Sequence, residues 1–161
     1  MTEPTTDPAS SRRKRTVLIL TVIVVFGLDI VTKIAASVVL ADRNIDVPGP
    51  LDLRLSHNSG VAFGLGNNAP AWLVLTLTGA FAVGIAVAAW RDHFASAVAA
   101  GVVVGGALAN VADRSEAGSV VDMLYTGWWP TFNVADIAIV CGAFALVYTD
   151  WRAAPQEPAD T

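Results

Sequence analysis

Four long apolar segments constrain this chain more than any other feature of its sequence. The second of them, residues 71–90, is twenty residues long and carries no charged side chain. An α-helix rises about 1.5 Å per residue, so a segment of this length crosses the hydrocarbon core of a bilayer. The other three cover residues 16–40, 94–112 and 132–149. We therefore predict an all-α membrane protein with four transmembrane helices.

The overall composition supports the membrane class. The 161-residue chain is 54% hydrophobic and 15% charged, whereas about a quarter of the residues in a soluble domain are charged. Its single cysteine, Cys141, excludes an internal disulfide and a site built from several cysteines. With His57 and His93 as the only histidines, the chain also has too few of the usual zinc ligands for us to expect a zinc site. We expect no metal, no other cofactor and no nucleic-acid partner.

Basic residues predict the orientation of the chain in the membrane. Four of them, residues 12–15, directly precede the first segment, and cytoplasmic loops carry an excess of Lys and Arg. We therefore predict cytoplasmic termini, with disordered tails at residues 1–15 and 153–161 flanking a four-span domain at residues 16–152. All five tryptophans fall at predicted helix ends, as expected for aromatic residues at membrane interfaces.

A cleaved signal peptide is the alternative interpretation of the first segment. Its basic start, its apolar run and the small residue Ala41 at its end fit that pattern. However, Asp29 and Lys33 lie inside the run, and the apolar core of a signal peptide does not need charged residues. Because Cys141 lies far downstream, no lipobox follows the segment, and we do not expect the protein to be a lipoprotein itself.

Residues 41–70 form the longest predicted stretch outside the helices, and the topology places them on the outer side of the membrane. Leu51, Leu53 and Leu55 alternate with polar residues in this stretch, which is the period-two pattern of a β-strand. Residues 113–131 should lie on the same side. Polar groups from separate segments are therefore expected to converge near one membrane face.

Two carboxylates, Asp122 and Asp136, are the candidate catalytic pair. Two such groups can hydrolyse a peptide bond without a metal, because the ionised one takes a proton from water while the protonated one hydrogen-bonds the substrate carbonyl. Close like charges and a low dielectric raise the pKa of one member. The alternative is that Asp122 is a turn residue and that Asp136 is a helix N-terminal charge favoured by the dipole. The spacing alone does not decide between these interpretations.

Seven further polar residues lie near the outer ends of the helices or in the outer loops. They are Asp29, Lys33, Asn58, Asn110, Asp113, Arg114 and Asn133. Asp29 and Lys33 are four positions apart with the acid first, the better order for an ion pair, and helix packing explains them more simply than catalysis. Asn110, Asp113 and Arg114 share one helical face, where they either hold loops and substrate or end the helix as an ion pair.

Five sequence blocks, taken in order, resemble the lipoprotein signal peptidase family, which is also called signal peptidase II. They read DIVTK, NSGVAF, GGALANVADR, GSVVD and FNVAD, at residues 29–33, 58–63, 105–114, 118–122 and 132–136. No single block is specific for this family, but the five blocks in this order on a four-span chain are. The resemblance extends over nearly all of residues 16–150.

The resemblance implies an aspartyl endopeptidase of the bacterial inner membrane with an active site near the extracytoplasmic face. The family substrate is a prolipoprotein whose lipobox Cys carries diacylglycerol, and cleavage falls just before that Cys. Asp122 and Asp136 are then the catalytic pair, and the seven polar residues named above are a supporting shell. The family fold adds a small extracytoplasmic β-cradle, which fits residues 41–70. Gly64 departs from the small polar residue that many members have there. We expect lipidated prolipoproteins and membrane lipid as partners, and a monomer.

Two other classes of function stay open at this point. In a small transport or proton-relay subunit, Asp29, Lys33, Asp122 and Asp136 would serve as relay groups. The polar residues gather at one face instead of tracing a path across the membrane, which disfavours this class. In a structural subunit the carboxylates would only hold the bundle together, and Asp136→Asn would leave activity in cells unchanged.

Overall fold

The computed structural model describes residues 8–59 and 71–154, which form four helices and one two-stranded sheet. In chain order the elements are α1 (Pro8–Val39), β1 (Asp52–Asn58), α2 (Ala71–Trp90), α3 (Ala97–Ala117), β2 (Val120–Tyr125) and α4 (Val134–Ala153). Each helix is long and apolar enough to cross a membrane, and the prediction of a four-span membrane protein is confirmed. Residues 60–70, which include Gly64 and most of the second sequence block, lie outside the described part.

Helix α1 begins earlier than the sequence predicts. It starts at Pro8, so the prediction of a disordered tail over residues 1–15 is wrong for residues 8–15. The added turns pack on the connection between α2 and α3, where the Ser11 hydroxyl donates to a carboxylate oxygen of Asp92 at 2.6 Å. The polar composition of this stretch does not reveal the contact, because Asp92 lies 81 positions further along the chain.

Helix α3 is capped at both ends by hydrogen bonds from nearby residues. The Ser96 hydroxyl accepts a hydrogen bond from the Ala99 N–H at 3.1 Å and caps the N-terminus. At the other end Gly118 has a φ of 70°, a left-handed conformation that favours glycine, and its N–H donates to the Arg114 carbonyl. The helix therefore runs to Ala117, beyond the end predicted at residue 112, and carries the polar residues of its last turns as a rigid unit.

The two strands pair antiparallel at one end of the bundle. The strand predicted from the alternating leucines is confirmed as β1, but its partner β2 comes from the connection between α3 and α4. A cradle confined to residues 41–70 is thus an incomplete prediction, since half of the sheet lies elsewhere in the sequence. In the register, Ser56 faces Asp122. Asp122 is therefore a strand residue, and the interpretation of it as a turn residue is wrong.

Glycines let α3 pack closely against α1 and α4. A Cβ atom on Gly101 would lie 2.7 Å from the Thr21 Cβ of α1, and one on Gly105 would lie 2.9 Å from the Val25 Cβ. Distances this short do not occur between real side chains, so only glycine permits this helix separation. Gly106 plays the same part toward α4, where its Cβ would lie 2.7 Å from a backbone oxygen. The close packing brings the polar ends of three helices together.

Candidate active site

Asp122 is held on β2 in an almost fully buried position, with 1% of its surface exposed. Its Oδ1 accepts a hydrogen bond from the Asn133 side-chain amide at 2.7 Å, and its Oδ2 accepts one from the Asn58 amide at 3.2 Å. Asn58 comes from the neighbouring strand, so the sheet itself supplies one donor to this carboxyl group.

Asp136 lies in the first turn of α4 and takes part in capping that helix. The Asn133 side-chain oxygen accepts the Asp136 N–H at 2.9 Å, while the Asp136 Oδ2 accepts the Asn133 N–H at 3.2 Å. This reciprocal pair is a capping box. Asp136 therefore lies at a helix N-terminus, as the alternative interpretation expected, and this position is compatible with a catalytic role as well. Its other oxygen accepts from the Asn110 amide at 2.9 Å, which turns the carboxylate toward the interior of the bundle.

Asn133 connects the two carboxyl groups. Because its oxygen is engaged by the helix cap, its NH₂ group is left to face Asp122, and it also reaches the Asn110 Oδ1 at 3.3 Å. Asn133 is fully buried, with 0% exposure, so its orientation is fixed by these partners. One side chain thereby sets the position of both acids relative to each other.

A buried ion cluster lies directly behind the carboxyl pair. The Lys33 ammonium is 2.5 Å from Asp29 and 2.9 Å from Asp113, and it donates to the Asn110 Oδ1 at 3.0 Å. Three acceptors thus meet the three N–H donors of one ammonium group. Asp29 also accepts the Ala135 N–H of α4 at 2.7 Å. The cluster ties α1 to α3 and α4, as the packing interpretation of Asp29 and Lys33 expected.

The carboxyl pair opens into a cavity of about 300 Å³. Its described lining includes six of the nine residues selected from the sequence, namely Asn58, Asn110, Arg114, Asp122, Asn133 and Asp136. The Arg114 guanidinium is close enough to interact electrostatically with both carboxylates of the pair and with Asp113. The remaining three selected residues form the buried cluster behind this wall.

The pKa of Asp122 is raised to about 6, chiefly by burial and to a smaller extent by the negative charge of Asp136. The amide donors of Asn133 and Asn58 act against this rise because they favour the ionised form. The burial effect is the larger one. Asp122 therefore holds a proton at pH values where an exposed aspartic acid is fully ionised, so the pair can carry one acid and one base.

Several residues of the cavity wall were not selected from the sequence. Trp129, Pro130, Thr131 and Phe132 come from the β2–α4 connection, and Val74 and Thr78 come from α2. Their types carry no catalytic signal, and only the adjacency of the connection to the FNVAD block could have indicated them. Among the described residues, no group of His, Cys, Asp and Glu side chains is arranged to hold a metal ion.

Known proteins resemble this chain over most of its length. The family model described as Signal peptidase (SPase) II matches residues 21–152. The lipoprotein signal peptidase of Rhizorhabdus wittichii is 40% identical over 136 residues, covering 77% of this chain and 79% of that one. That of Rhodococcus jostii is 38% identical over 166 residues, covering 88% and 79%. A solved bacterial membrane enzyme shares the fold with a TM-score of 0.72 at 23% identity, covering 89% of this chain and 94% of that one. The chain belongs to the signal peptidase II family.

Proposed function

We propose that this protein removes the signal peptide from prolipoproteins whose lipobox Cys carries a diacylglyceryl group, by cleaving the peptide bond just before that Cys. Membership of the signal peptidase II family makes the protein a protease. The observation that carries the proposal further is the pair formed by the buried Asp122 and the partly buried Asp136, joined through Asn133 at the wall of a cavity. The described lining of that cavity contains no Ser, Cys or His side chain.

The surroundings of the two acids assign them different roles. Asp136 accepts the Asn133 backbone N–H and the Asn110 side-chain N–H at the N-terminus of α4, so both of its oxygens act as hydrogen-bond acceptors. Asp136 is therefore the base that takes a proton from the attacking water. Asp122 has its pKa raised by burial, so it is the acid that hydrogen-bonds the carbonyl oxygen of the scissile peptide.

The reaction balances with one water molecule. Water adds to the carbonyl carbon, its proton passes to Asp136, and the proton of Asp122 moves to the developing oxyanion. When the tetrahedral intermediate collapses, Asp136 gives its proton to the leaving nitrogen of the lipidated Cys, and Asp122 recovers its own proton from the hydroxyl oxygen. The C–N bond breaks, and both acids return to their starting protonation states. Arg114 is placed at the cavity wall to bind backbone carbonyls of the substrate.

The proposed location is the cytoplasmic membrane of a bacterium, with both termini inside. The pair of Asp122 and Asp136, which we call the dyad, then lies near the outer face. The basic residues at one end of the bundle support this orientation, since Arg12, Arg13, Arg91 and Arg152 are all exposed there. A reporter fused after Arg152 should be cytoplasmic, and one inserted near Asn44 should be external. An external C-terminus would overturn the orientation.

A proton relay is not favoured as the function. The fully buried polar residues of the described chain are Asp29, Lys33, Asn110, Asp122 and Asn133, and all belong to the site. The opposite half of the bundle is closed by an apolar core that includes Leu18, Val103 and Leu146. Relay groups would have to continue through that core.

The direct test is cleavage by the purified protein in detergent micelles. With EDTA present, a diacylglyceryl prolipoprotein should be cut, and mass spectrometry should find the lipidated Cys at the new N-terminus. The same prolipoprotein without lipid should be cut far more slowly. Absence of cleavage, or cleavage that EDTA abolishes and added metal restores, would overturn the proposal.

A further inference from the structure

The end of the bundle opposite the dyad projects basic side chains beyond the hydrocarbon of the membrane. Helix α1 has 32 residues, about 48 Å at 1.5 Å per residue, whereas the hydrocarbon core of a bilayer is about 30 Å thick. Because its apolar run begins only at Val17, the first turns, with the basic residues 12–15, lie at headgroup level. Arg91, directly after α2, and Arg152, near the end of α4, lie at the same end.

The described acids at this end, Asp92 and Asp150, are already engaged. Asp92 accepts the Ser11 hydroxyl at 2.6 Å and lies 3.8 Å from the Lys14 ammonium, and Asp150 accepts the Ala95 N–H at 2.8 Å. Several guanidinium groups therefore have no carboxylate within 4.0 Å in the part of the chain that the structure describes. They belong to Arg12, Arg13, Arg15, Arg91 and Arg152.

The turn that follows α2 holds Arg91 in place. The Asp92 N–H donates to the Ala89 carbonyl at 3.1 Å, and the His93 N–H donates to the Ala88 carbonyl at 3.0 Å. Asp92 has a φ of 59°, so the turn is a Schellman cap with an aspartate at the left-handed position where glycine is usual. The contacts from α1 hold this aspartate. The acid next to Arg91 is thereby engaged by α1, and the Arg91 charge stays available.

A recess of about 390 Å³ lies beside Arg91. Its lining is formed by Ala86, Val87, Trp90 and Arg91, and we call it the inner recess. The Arg15 Nε donates to the Trp90 carbonyl at 3.3 Å, and the Arg15 guanidinium lies 4.8 Å from the centre of the Trp90 ring. The recess thus combines apolar walls with two guanidinium groups, one in its lining and one stacked on its tryptophan.

This combination suits an anion that carries a hydrocarbon chain. Guanidinium groups match the oxygen geometry of phosphate, tryptophan rings sit at headgroup level, and the apolar walls of a membrane-facing recess suit an acyl chain. A free phosphate ion would leave those walls unused. A zwitterionic phospholipid brings a cation of its own, which the two arginines disfavour. An anionic phospholipid meets all three features, and basic pockets at this depth bind such headgroups.

We propose that the inner recess binds one anionic phospholipid, with Arg15 and Arg91 on its phosphate group and an acyl chain along Ala86 and Val87. In the proposed orientation this lipid comes from the cytoplasmic leaflet, but the binding depends neither on that orientation nor on the peptidase activity. Because Arg15 belongs to α1 and the recess belongs to α2, the lipid also bridges the two helices at the end where their ion pair is exposed.

The first test uses the wild-type protein alone. Delipidated protein in a non-ionic detergent is titrated with dioleoylphosphatidylglycerol or dioleoylphosphatidylcholine, and bound lipid is counted by native mass spectrometry. One phosphatidylglycerol should bind at least about tenfold more tightly, as expected for two arginines on one phosphate. Salt should shrink this preference, because it screens the charges. Water-soluble glycerophosphoglycerol at the same concentration should not displace the lipid. Equal affinity for both lipids, or displacement by the soluble headgroup, would overturn the proposal.

The second test separates a built site from diffuse surface charge. Arg15→Gln and Arg91→Gln should each weaken phosphatidylglycerol binding about fivefold, the usual contribution of one basic residue near an anionic headgroup. Both should leave phosphatidylcholine binding unchanged. Arg152→Gln is the matched control, because it removes the same charge from the same end but lies outside the recess lining, and it should change the affinity less than about twofold. An equal loss in all three variants would show that no specific site exists.

The third test fills the recess without changing any charge. Val87→Phe should weaken phosphatidylglycerol binding, because the larger side chain occupies the space assigned to the acyl chain. Leu77→Phe is the control on the same helix, since Leu77 is 63% exposed and lies outside the recess. If Val87→Phe binds the lipid as the wild type does, the recess is not the site. None of these measurements uses peptidase activity, so a protein that cleaves prolipoprotein but shows no lipid preference would contradict this inference alone.

Discussion

The two ends of the helix bundle each carry an Asp–Lys ion pair, but the pairs differ in environment. At the dyad end, Lys33 and Asp29 are 2.5 Å apart, with side chains 4% and 0% exposed. At the opposite end, Lys14 and Asp92 are 3.8 Å apart, with side chains 39% and 13% exposed. Exposed pairs contribute little because water and salt screen them. Buried charges must be compensated by neighbours or they destabilise the fold.

The wider surroundings of the two pairs differ in the same way. At the dyad end the polar groups form one network that joins α1, α3, α4 and the sheet, and three asparagine side chains take part in it. At the opposite end the pair is supplemented by single contacts such as Arg15 over the Trp90 ring at 4.8 Å. Burial therefore marks the dyad end as the part of the bundle in which charge is positioned for chemistry.

The largest contrast is expected in turnover. Asp122→Asn and Asp136→Asn should each lower kcat by at least about a hundredfold, because each removes a proton-transfer group. The double variant should be little worse than either single one, since the two acids act as a unit. Asp92→Asn, at the opposite end, should keep the wild-type rate. A correctly folded single variant of the pair with near-normal turnover would contradict the assignment.

The next contrast concerns stability. Lys33→Met leaves the buried Asp29 and the partly buried Asp113 without their cation. Loss of one partner of a buried pair typically costs about 3–5 kcal/mol of unfolding free energy. Lys14→Met should cost less than about 1 kcal/mol, as for other exposed pairs. Denaturation of the two purified variants in the same detergent measures the difference. Similar losses for both would show that the two ends do not differ as described.

The third contrast uses pH. The pKa of Asp122 is raised from 3.8 to about 6 in the folded protein, so the folded state binds more protons than the unfolded state between these values. The stabilisation from the protonated group is complete below pH 3.8 and is lost as the pH rises through about 6. Wild type should lose up to about 3 kcal/mol relative to Asp122→Asn between pH 4 and 7. An unchanged difference across that range would contradict the raised pKa.

The smallest effect is expected from helix packing beneath the dyad. Gly106→Ala places a methyl group 2.7 Å from the Ala135 carbonyl oxygen at the start of α4, and overpacking of this kind costs about 1–3 kcal/mol. Gly84→Ala on α2 meets nothing within 4 Å and should stabilise its helix by up to about 1 kcal/mol. Thermal unfolding of both variants is the measurement, and a neutral Gly106→Ala would show that α4 can shift at no cost.

The sequence predicts the helices well, because a membrane-spanning helix can be recognised from the local composition of one long apolar run. It also selects all nine polar residues that the fold gathers at one end, since charges in or beside such runs are conspicuous. It does not predict the pairing of β2 with β1, the bridging orientation of Asn133 or the docking of residues 8–15 on the α2–α3 connection. Each of these depends on contacts between distant parts of the chain, which no local pattern encodes.

The most direct test of the account is the titration of Asp122 itself. In protein labelled with ¹³C at the aspartate carboxyl carbons, Asp122 should titrate with an apparent pKa near 6. In Asp136→Asn its pKa should fall, because the neighbouring negative charge is gone, but stay above 3.8 because the group is still buried. An Asp122 that titrates near 3.8, or whose pKa does not respond to Asp136→Asn, would show that Asp122 is not the acid of a coupled pair.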